Sequence, residues 1–493
     1  MSSARSNLAF FLVVVLLLIF AAAWFIEPDV ADQTVEELSG TEPELGEPQE
    51  EVFPTVVIAE PVGWAEDAVP QAAQGLAVTR FAEGLDHPRV MYTLPNGDLL
   101  VTLTRSPKSA GANDDPSIMD RIRGFIAGIL FAQAGAAGES PNTLMLLRDG
   151  DGDGAAEEKI ALTTTLDSPS GIAWHDNKLY IANHDEVLEF AYELGSTGSL
   201  GEGRKLMDLP PGGGHWMRNI ELDEAGENLY IAVGSLSNIG EQGMEIEEGR
   251  AMIWQYVFAQ QSARPFATGL RNANGLDWNP WSGELWTTVN ERDMLGSDLV
   301  PDYLTNVPVG AQYGWPWIYF RDNFDRRVEH PMPAYLQDYV RRPEYALGPH
   351  VAALGLEFTK AGHRLGGEFG QGAMIARHGS WNRKPPSGYD VVFVAFDERG
   401  NPQGKPIPVL SGFLNDDGTT KGRPTWVAWA ADGALLVTDD TAGIIWRVIA
   451  PGAEPAPPIE RLTGASMPPR RELRGDPRAS FGEEDYARVQ PVQ

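Results

Sequence analysis

The stretch GLRNANGLDWNPWSGELWTT, Gly269–Thr288, decides how the rest of the chain reads. It opens on a loop carrying Arg and Asn, runs into an apolar-alternating segment, turns through Asn, Pro, Ser and Gly, and leaves along a second apolar segment. Alternation with period two marks a half-buried strand, and a Gly-containing turn between two such runs marks a hairpin. The same order recurs in GLDHPRVMYTLPNGDLLVT from Gly84, TLDSPSGIAWHDNKLYIAN from Thr165, GHWMRNIELDEAGENLYIAV from Gly214 and GRPTWVAWAADGALLVTDD from Gly422. A sixth, degenerate copy is HVAALGLEFTKAG from His350 followed by GEFGQGAMIARHGS. Third strands follow several copies: EVLEFAY, AMIWQYV, YDVVFVAF and IIWRVIA.

Internal repeats settle architecture before any single motif does. Sheets of about four strands repeated six times predict an all-β chain folded as a six-bladed β-propeller, whose ring leaves only short, protected edges. A β-sandwich is the alternative. In a propeller the first strand of each blade lines the axis, so the loops that precede these strands gather on one face. That places His215, Arg271, Asn272 and Arg423 together.

The two ends read differently. LAFFLVVVLLLIFAAAWFI, Leu8–Ile26, is uncharged, follows Arg5, and is long enough as a helix (roughly 28 Å) to span a bilayer. Residues 1–27 are expected to be a transmembrane anchor or, given Ala21–Ala23, a cleaved signal segment. No Lys or Arg returns until Arg80, so both readings put the remainder in a periplasmic or other extracytoplasmic location. Residues 28–74, proline-dotted and acidic as in TEPELGEPQEEVFP, read as a tether, 75–452 as the propeller and 453–493 as a tail. GFIAGILFAQAGAAG, 124–138, is too short to span and reads as a surface helix or one resting on the membrane.

The chain has no cysteine, which removes disulfides, thiolate metal sites and cysteine nucleophiles. A formal net charge of -31 excludes nucleic acid as a partner, because phosphate binding needs a surplus of Lys and Arg. Cations at the loop ends of so acidic a chain therefore stand out: Arg218, Arg271, Arg423 and the run Arg377, His378, Arg383, Lys384. Together they form a candidate clamp for a small polyanion, since guanidinium groups hold carboxylates in bidentate pairs. Trp216, Tyr313, Trp315, Trp381 and Trp426 are candidate flat walls. In PPGGGHWMRNIEL, Pro210–Leu222, the glycines leave His215 at a loop end, where an imidazole can serve as a general base. His175, His184 and His363 read as exposed turn residues.

At GLRNANGLDWNP, VGAQYGWPWIY, ARHGSWNRKPPSGYDVV and GRPTWVAWAADGALLVTDD the chain resembles the soluble quinoprotein glucose/sorbosone dehydrogenase family, nearest its sorbosone-dehydrogenase-like branch. The resemblance spans roughly residues 75–450 and implies a six-bladed propeller that binds pyrroloquinoline quinone (PQQ) and calcium. It implies a sugar, alcohol or aldehyde as substrate, His215 as catalytic base and a respiratory quinone or cytochrome as electron acceptor. Arg271 and Asn272 would face the quinone oxygens, with Arg271 stabilising developing negative charge. Arg423 would hold a cofactor carboxylate, with Arg377, His378 or Arg383 in place of a family lysine near Ser380. The calcium loop falls on VNERDMLGSD, making the backbone of Arg292 and Asp293 candidate ligands. Departures are Gly214, where glucose-oxidising members often carry an acid, and Thr425, where a second arginine would stand.

RDGDGDGAAEE, Arg148–Glu158, alternates Asp149, Asp151 and Asp153 with glycine as an EF-hand loop does, but Ile160 stands where the bidentate Glu belongs. It reads as a second calcium site or an acidic hairpin turn. Two further functions stay open on this sequence: a calcium-dependent lactonase on a similar propeller, and a non-catalytic binding propeller.

Overall fold

Each copy of the repeat supplies the inner hairpin of one antiparallel sheet, and six such sheets stand in the computed structural model, which describes residues 29–51, 54–107, 138–461 and 489–490. Blade 1 is Pro88–Thr93, Leu99–Leu103, Thr143–Arg148 and Glu158–Thr163; blade 2 is Gly171–His175, Lys178–Ala182, Glu186–Ala191 and Arg204–Asp208. Blade 3 runs Ile220–Leu222, Asn228–Val233, Met252–Val257 and Ser262–Thr268, and blade 4 runs Ala273–Trp278, Leu285–Val289, Pro301–Asn306 and Tyr345–Pro349. Blade 5 is Ala353–Phe358, Gly372–Arg377, Asp390–Phe396 and Pro402–Ser411. Blade 6 takes Pro424–Trp429, Leu435–Asp439 and Ile444–Ile449 from the C-terminal side and Ala77–Ala82 from the N-terminal side, with Val78 opposite Val448. That pairing closes the ring between the two ends of the propeller sequence, and the predicted six-bladed propeller is the fold observed.

Second strands such as Leu99–Leu103 and Leu435–Asp439 are buried at every position because both their faces meet neighbouring blades. Val391 and Phe393 of blade 5 thus pack in one cluster with Val427, Val437 and Trp446 of blade 6. First strands ring the axis, and two glycines show how tightly. A Cβ on Gly275 would lie 2.5 Å from the Leu354 carbonyl oxygen, and one on Gly355 would lie 2.6 Å from the Trp426 Cα. Only glycine admits that approach of backbones.

The acidic stretch expected to be a free tether instead lies along the ring. Ser39–Gly40 adds an edge strand to blade 4 and Gln71–Ala72 one to blade 5, and Leu38 is fully buried. Edge pairing is made by main-chain groups, so low apolar periodicity did not forbid it. The anchor stretch 8–26 and residues 124–137 of the second apolar stretch lie outside the described residues. Among the described residues no helix is long and apolar enough to cross a membrane.

Candidate active site

Loops at the start of the first strands converge on a cavity of about 210 Å³ at one end of the axis. The His215 loop is built from carbonyls held by buried arginines. Arg218, fully buried, donates to the carbonyls of His215 at 2.7 Å and Pro210 at 3.0 Å, while Arg250 donates to Pro211 at 2.6 Å. Arg218 is therefore scaffold and no part of a clamp. His184 is also structural: it is 6% exposed and its Nδ1 accepts the Gly212 N–H, so it is no exposed turn residue, and nor is His363 at 4%. A Cβ on Gly234 would lie 2.7 Å from the His215 Cβ and 2.4 Å from the Asn272 Oδ1, so the bare backbone there lets these two side chains meet.

His215 places Nδ1 at 2.9 Å from the Ser235 carbonyl oxygen. A carbonyl only accepts, so Nδ1 carries the proton and Nε2 keeps its lone pair. Burial and then the Arg271 charge pull the His215 pKa down to about 3, leaving the imidazole neutral at physiological pH. Arg271 donates to the Glu291 carbonyl at 2.5 Å, to Asn238 Oδ1 at 2.9 Å and to Asp293 Oδ2 at 2.8 Å. Burial pushes Asp293 up, but Arg271 and His350 outweigh it and hold the carboxyl below its ordinary value. Asn272, Asn274 and Asn290 form an amide row: Asn272 and Asn274 each donate to Asn290 Oδ1 at 3.2 Å.

The opposite wall centres on Asp440. Its carboxylate accepts from Arg89 at 2.5 Å and from His378 Nε2 at 3.0 Å, with His87 Nε2 at 3.5 Å. Burial raises its pKa, yet these partners hold it well below the usual carboxylate range. Burial and then Arg423 lower His378 to about 4. Arg423 donates to the carbonyls of His378 at 3.1 Å and Gly379 at 2.8 Å and lies over the Tyr389 ring. Among the described residues no carboxylate pairs with that guanidinium.

Of the residues read from sequence, the fold brings His215, Arg271, Asn272, Asp293 and His378 to the cavity and sets Arg423 against His378. Arg377 is elsewhere, its guanidinium taken by Asp390 and the Leu347 carbonyl. Arg383 is buried against the carbonyls of Pro385 and Gln33 and against Asp298. Neither clamps a ligand there: Arg377 ends the strand before His378 and points to the opposite face, and Arg383, in the loop beyond, spends its Nη donors on those carbonyls and Asp298. Trp216 and Trp381 line the cavity, whereas Trp315 and Tyr313 are core and Trp426 lines a second axial cavity with Glu221, Asp277 and Glu357. Sequence reasoning missed Arg89, His350, Asp302 and Asp440. The signal was repeat position, since Arg89 and His350 open their copies as Arg271 and Arg423 do.

Over residues 139–308 and 330–450 the sequence matches the model of the TrAA12-like family. The chain belongs to that family. Among relatives of this TrAA12-like chain, an uncharacterized protein of Borreliella burgdorferi is 28% identical over 58% of the chain and 77% of its own length. A pyrroloquinoline quinone-dependent pyranose dehydrogenase of Coprinopsis cinerea is 27% identical over 49% of the chain, and the match spans 41% of that enzyme. The fold is similar to a calcium structure of a Trichoderma reesei carbohydrate-active enzyme of family AA12, with TM-score 0.59 and 19% identity over 77% of this chain and 96% of that one. It is also similar to the holo PQQ domain of the Coprinopsis enzyme, with TM-score 0.58 and 20% identity over 80% of this chain and all of that one.

The residues suit a flat, polyanionic quinone: an arginine without a carboxylate partner, a buried Arg89 Nε–H without an acceptor among the described residues, and two tryptophan faces. They do not suit calcium where the resemblance put it. The Asp293 carbonyl already accepts from Asn238 Nδ2 at 3.1 Å and Arg327 at 3.0 Å, filling both lone pairs. The Arg292 side chain is fully buried between Glu291, Asp325 and the carbonyls of Pro316 and Ile318. Away from the site, Asp149, Asp151, Asp153 and Glu157 lie close enough to share a cation.

Proposed function

We propose that this chain oxidises a sugar hydroxyl with PQQ as resident cofactor, outside the cytoplasm, and passes the electrons to a respiratory quinone or cytochrome. The observation that carries the reading is the neutral His215, its free Nε2 on the cavity beside Arg271 and Asn272. Bound PQQ would supply the two-electron acceptor. His215 Nε2 takes the proton of the substrate hydroxyl, and Nδ1–H stays on the Ser235 carbonyl, so the ring does not turn as the proton arrives. A base pulled down to about 3 is weak, but an anion seated against Arg271 cancels the second-largest cause of the depression and raises it toward working pH. Arg423, set against His378, would hold a carboxylate of the cofactor, and the Trp216 and Trp381 rings on the cavity would confine its planar body. The Leu8–Ile26 stretch and the cation-free run to Arg80 support membrane attachment and the extracytoplasmic location.

Three carboxyl groups and three asparagines on the cavity favour a second reading, calcium-dependent lactone hydrolysis. Their commitments oppose it: Asp293 pairs with Arg271, Glu291 with Arg292, and Asp302 accepts the backbone N–H groups of Glu291 and Ala352. The test is to add PQQ to the purified protein and record the quinone absorption and dye reduction with a panel of pyranoses and other polyols. Neither a spectral change nor reduction would end the proposal, and lactone turnover with calcium alone would select the second reading. His215→Ala keeps quinone binding and loses turnover by about 10²–10⁴, the usual worth of a general base.

A further inference from the structure

The loop after the second strand of blade 4, residues 290–294, is the segment on which the family resemblance sets a calcium ion, yet the carbonyls of Asn290, Glu291, Asp293 and Met294, on both sides of Arg292, already accept from guanidinium groups. Arg271 Nη1 donates to the carbonyls of Asn290 at 3.5 Å and Glu291 at 2.5 Å. Arg327 Nη1 donates to the carbonyls of Asp293 at 3.0 Å and Met294 at 2.8 Å. Calcium needs six to eight oxygen ligands at 2.3–2.6 Å in the general case, and a carbonyl that faces a guanidinium at hydrogen-bond distance is not one of them.

We infer that in this chain Arg271 and Arg327 stand where a metal ion would, their N–H groups satisfying the loop carbonyls, so that neither folding of the site nor binding of the anionic cofactor needs calcium. Each guanidinium is held in place. Arg327 is gripped by Asp325, whose Oδ1 accepts Nε at 2.9 Å and whose Oδ2 accepts Nη2 at 2.8 Å. Asp325 in turn pairs with Arg292 at 3.3 Å, which ties the insertion between the third and fourth strands of blade 4 to the loop. Arg271 is fixed through Asn238 and Asp293. The sequence signal is the run FDRR, Phe324–Arg327, lying in that insertion and far from the repeat starts.

The inference rests on the PQQ reading for one arm of its test only. Asp149, Asp151 and Asp153 are first changed to Asn, which removes the hairpin as a competing cation site without touching the cavity. Calcium is then titrated into this protein by calorimetry and thermal shift, with no quinone present. No heat and no shift up to millimolar calcium is expected; one bound ion per chain would overturn the inference. In the second arm PQQ binding is followed by absorbance after exhaustive chelation and again in calcium, with affinities expected to agree within about twofold. Loss of PQQ on chelation, restored by calcium, overturns it; absence of PQQ binding in both conditions would instead reject the proposed cofactor and leave the calcium titration to decide. Arg327→Ala frees the carbonyls of Asp293 and Met294 and is expected to acquire a calcium-dependent thermal shift. Arg327→Lys, which keeps the charge if Ala fails to fold, is expected to stay indifferent to calcium. A folded Arg327→Ala protein that ignores calcium would remove Arg327 from the role.

Discussion

Replacing Asp440 by Asn tests the cavity wall that sequence reading did not anticipate. The side chain is 1% exposed and accepts from Arg89 at 2.5 Å and His378 at 3.0 Å. Both donors meet the same oxygen, Oδ2, so Asn with its amide oxygen there keeps the shape and the acceptor for Arg89 and His378 alike, but the negative charge that balanced a buried guanidinium is gone. Removing one partner of a buried pair costs about 3–5 kcal/mol, and the acceptor that remains puts this variant near 3. The amide N–H₂ takes the place of Oδ1, which has no hydrogen-bond partner among the described residues, so it adds an unpaired buried donor while His378 keeps its proton on Nε2. Urea unfolding at pH 7.5 measures the first effect, and nitrogen chemical shifts of the His378 ring report the second. A loss below about 1 kcal/mol, or a His378 proton found on Nδ1, would falsify the view that Asp440 organises this wall through its charge and that one oxygen.

Three buried imidazoles should stay neutral well below the ordinary histidine range. His87, His215 and His378 fall from 6.5 to about 4, 3 and 4 in the folded state, so unfolding takes up protons as pH drops below 6.5. These three favour unfolding as pH falls from 6.5 to 5, while His350 and the buried carboxyls of Asp302, Glu357 and Asp439, raised to about 7, 7 and 6, favour the fold over the same window, so the test is read at the rings and not in the total stability. Ring nitrogen shifts should show the three imidazoles still neutral at pH 5 in the folded protein, and imidazolium signals there contradict the burial of these rings. Gly355→Ala drives a methyl into the backbone of Trp426 and should cost about 2–3 kcal/mol, read as a lower melting temperature; an unchanged melting point means the axial strands have slack. Arg423→Met should weaken PQQ binding at least tenfold while leaving the fold intact, and equal affinity would take Arg423 out of the cofactor site.

The amino-acid sequence by itself determined the ring. Alternating apolar hairpins recurring six times require sheets whose two faces are both covered, and the loop that opens each copy then has one place to go. His215, Arg271 and Asn272 were legible for that reason, since they sit at repeat starts. Tertiary structure alone decided which cations are free. Arg218, Arg377, Arg383 and Arg423 look alike in sequence, yet Arg218 is buried holding the carbonyls of the His215 loop, Arg377 and Arg383 pair with Asp390 and Asp298, and Arg423 lies against His378 with no carboxylate partner among the described residues. It also decided that the acidic stretch before the propeller lies on blade edges and that Arg327, far from the repeat starts, reaches the loop carbonyls. Periodicity reports which face of a strand is buried. It carries no information on which long side chain crosses from one blade to satisfy the backbone of another, because that depends on distances between segments far apart in the chain.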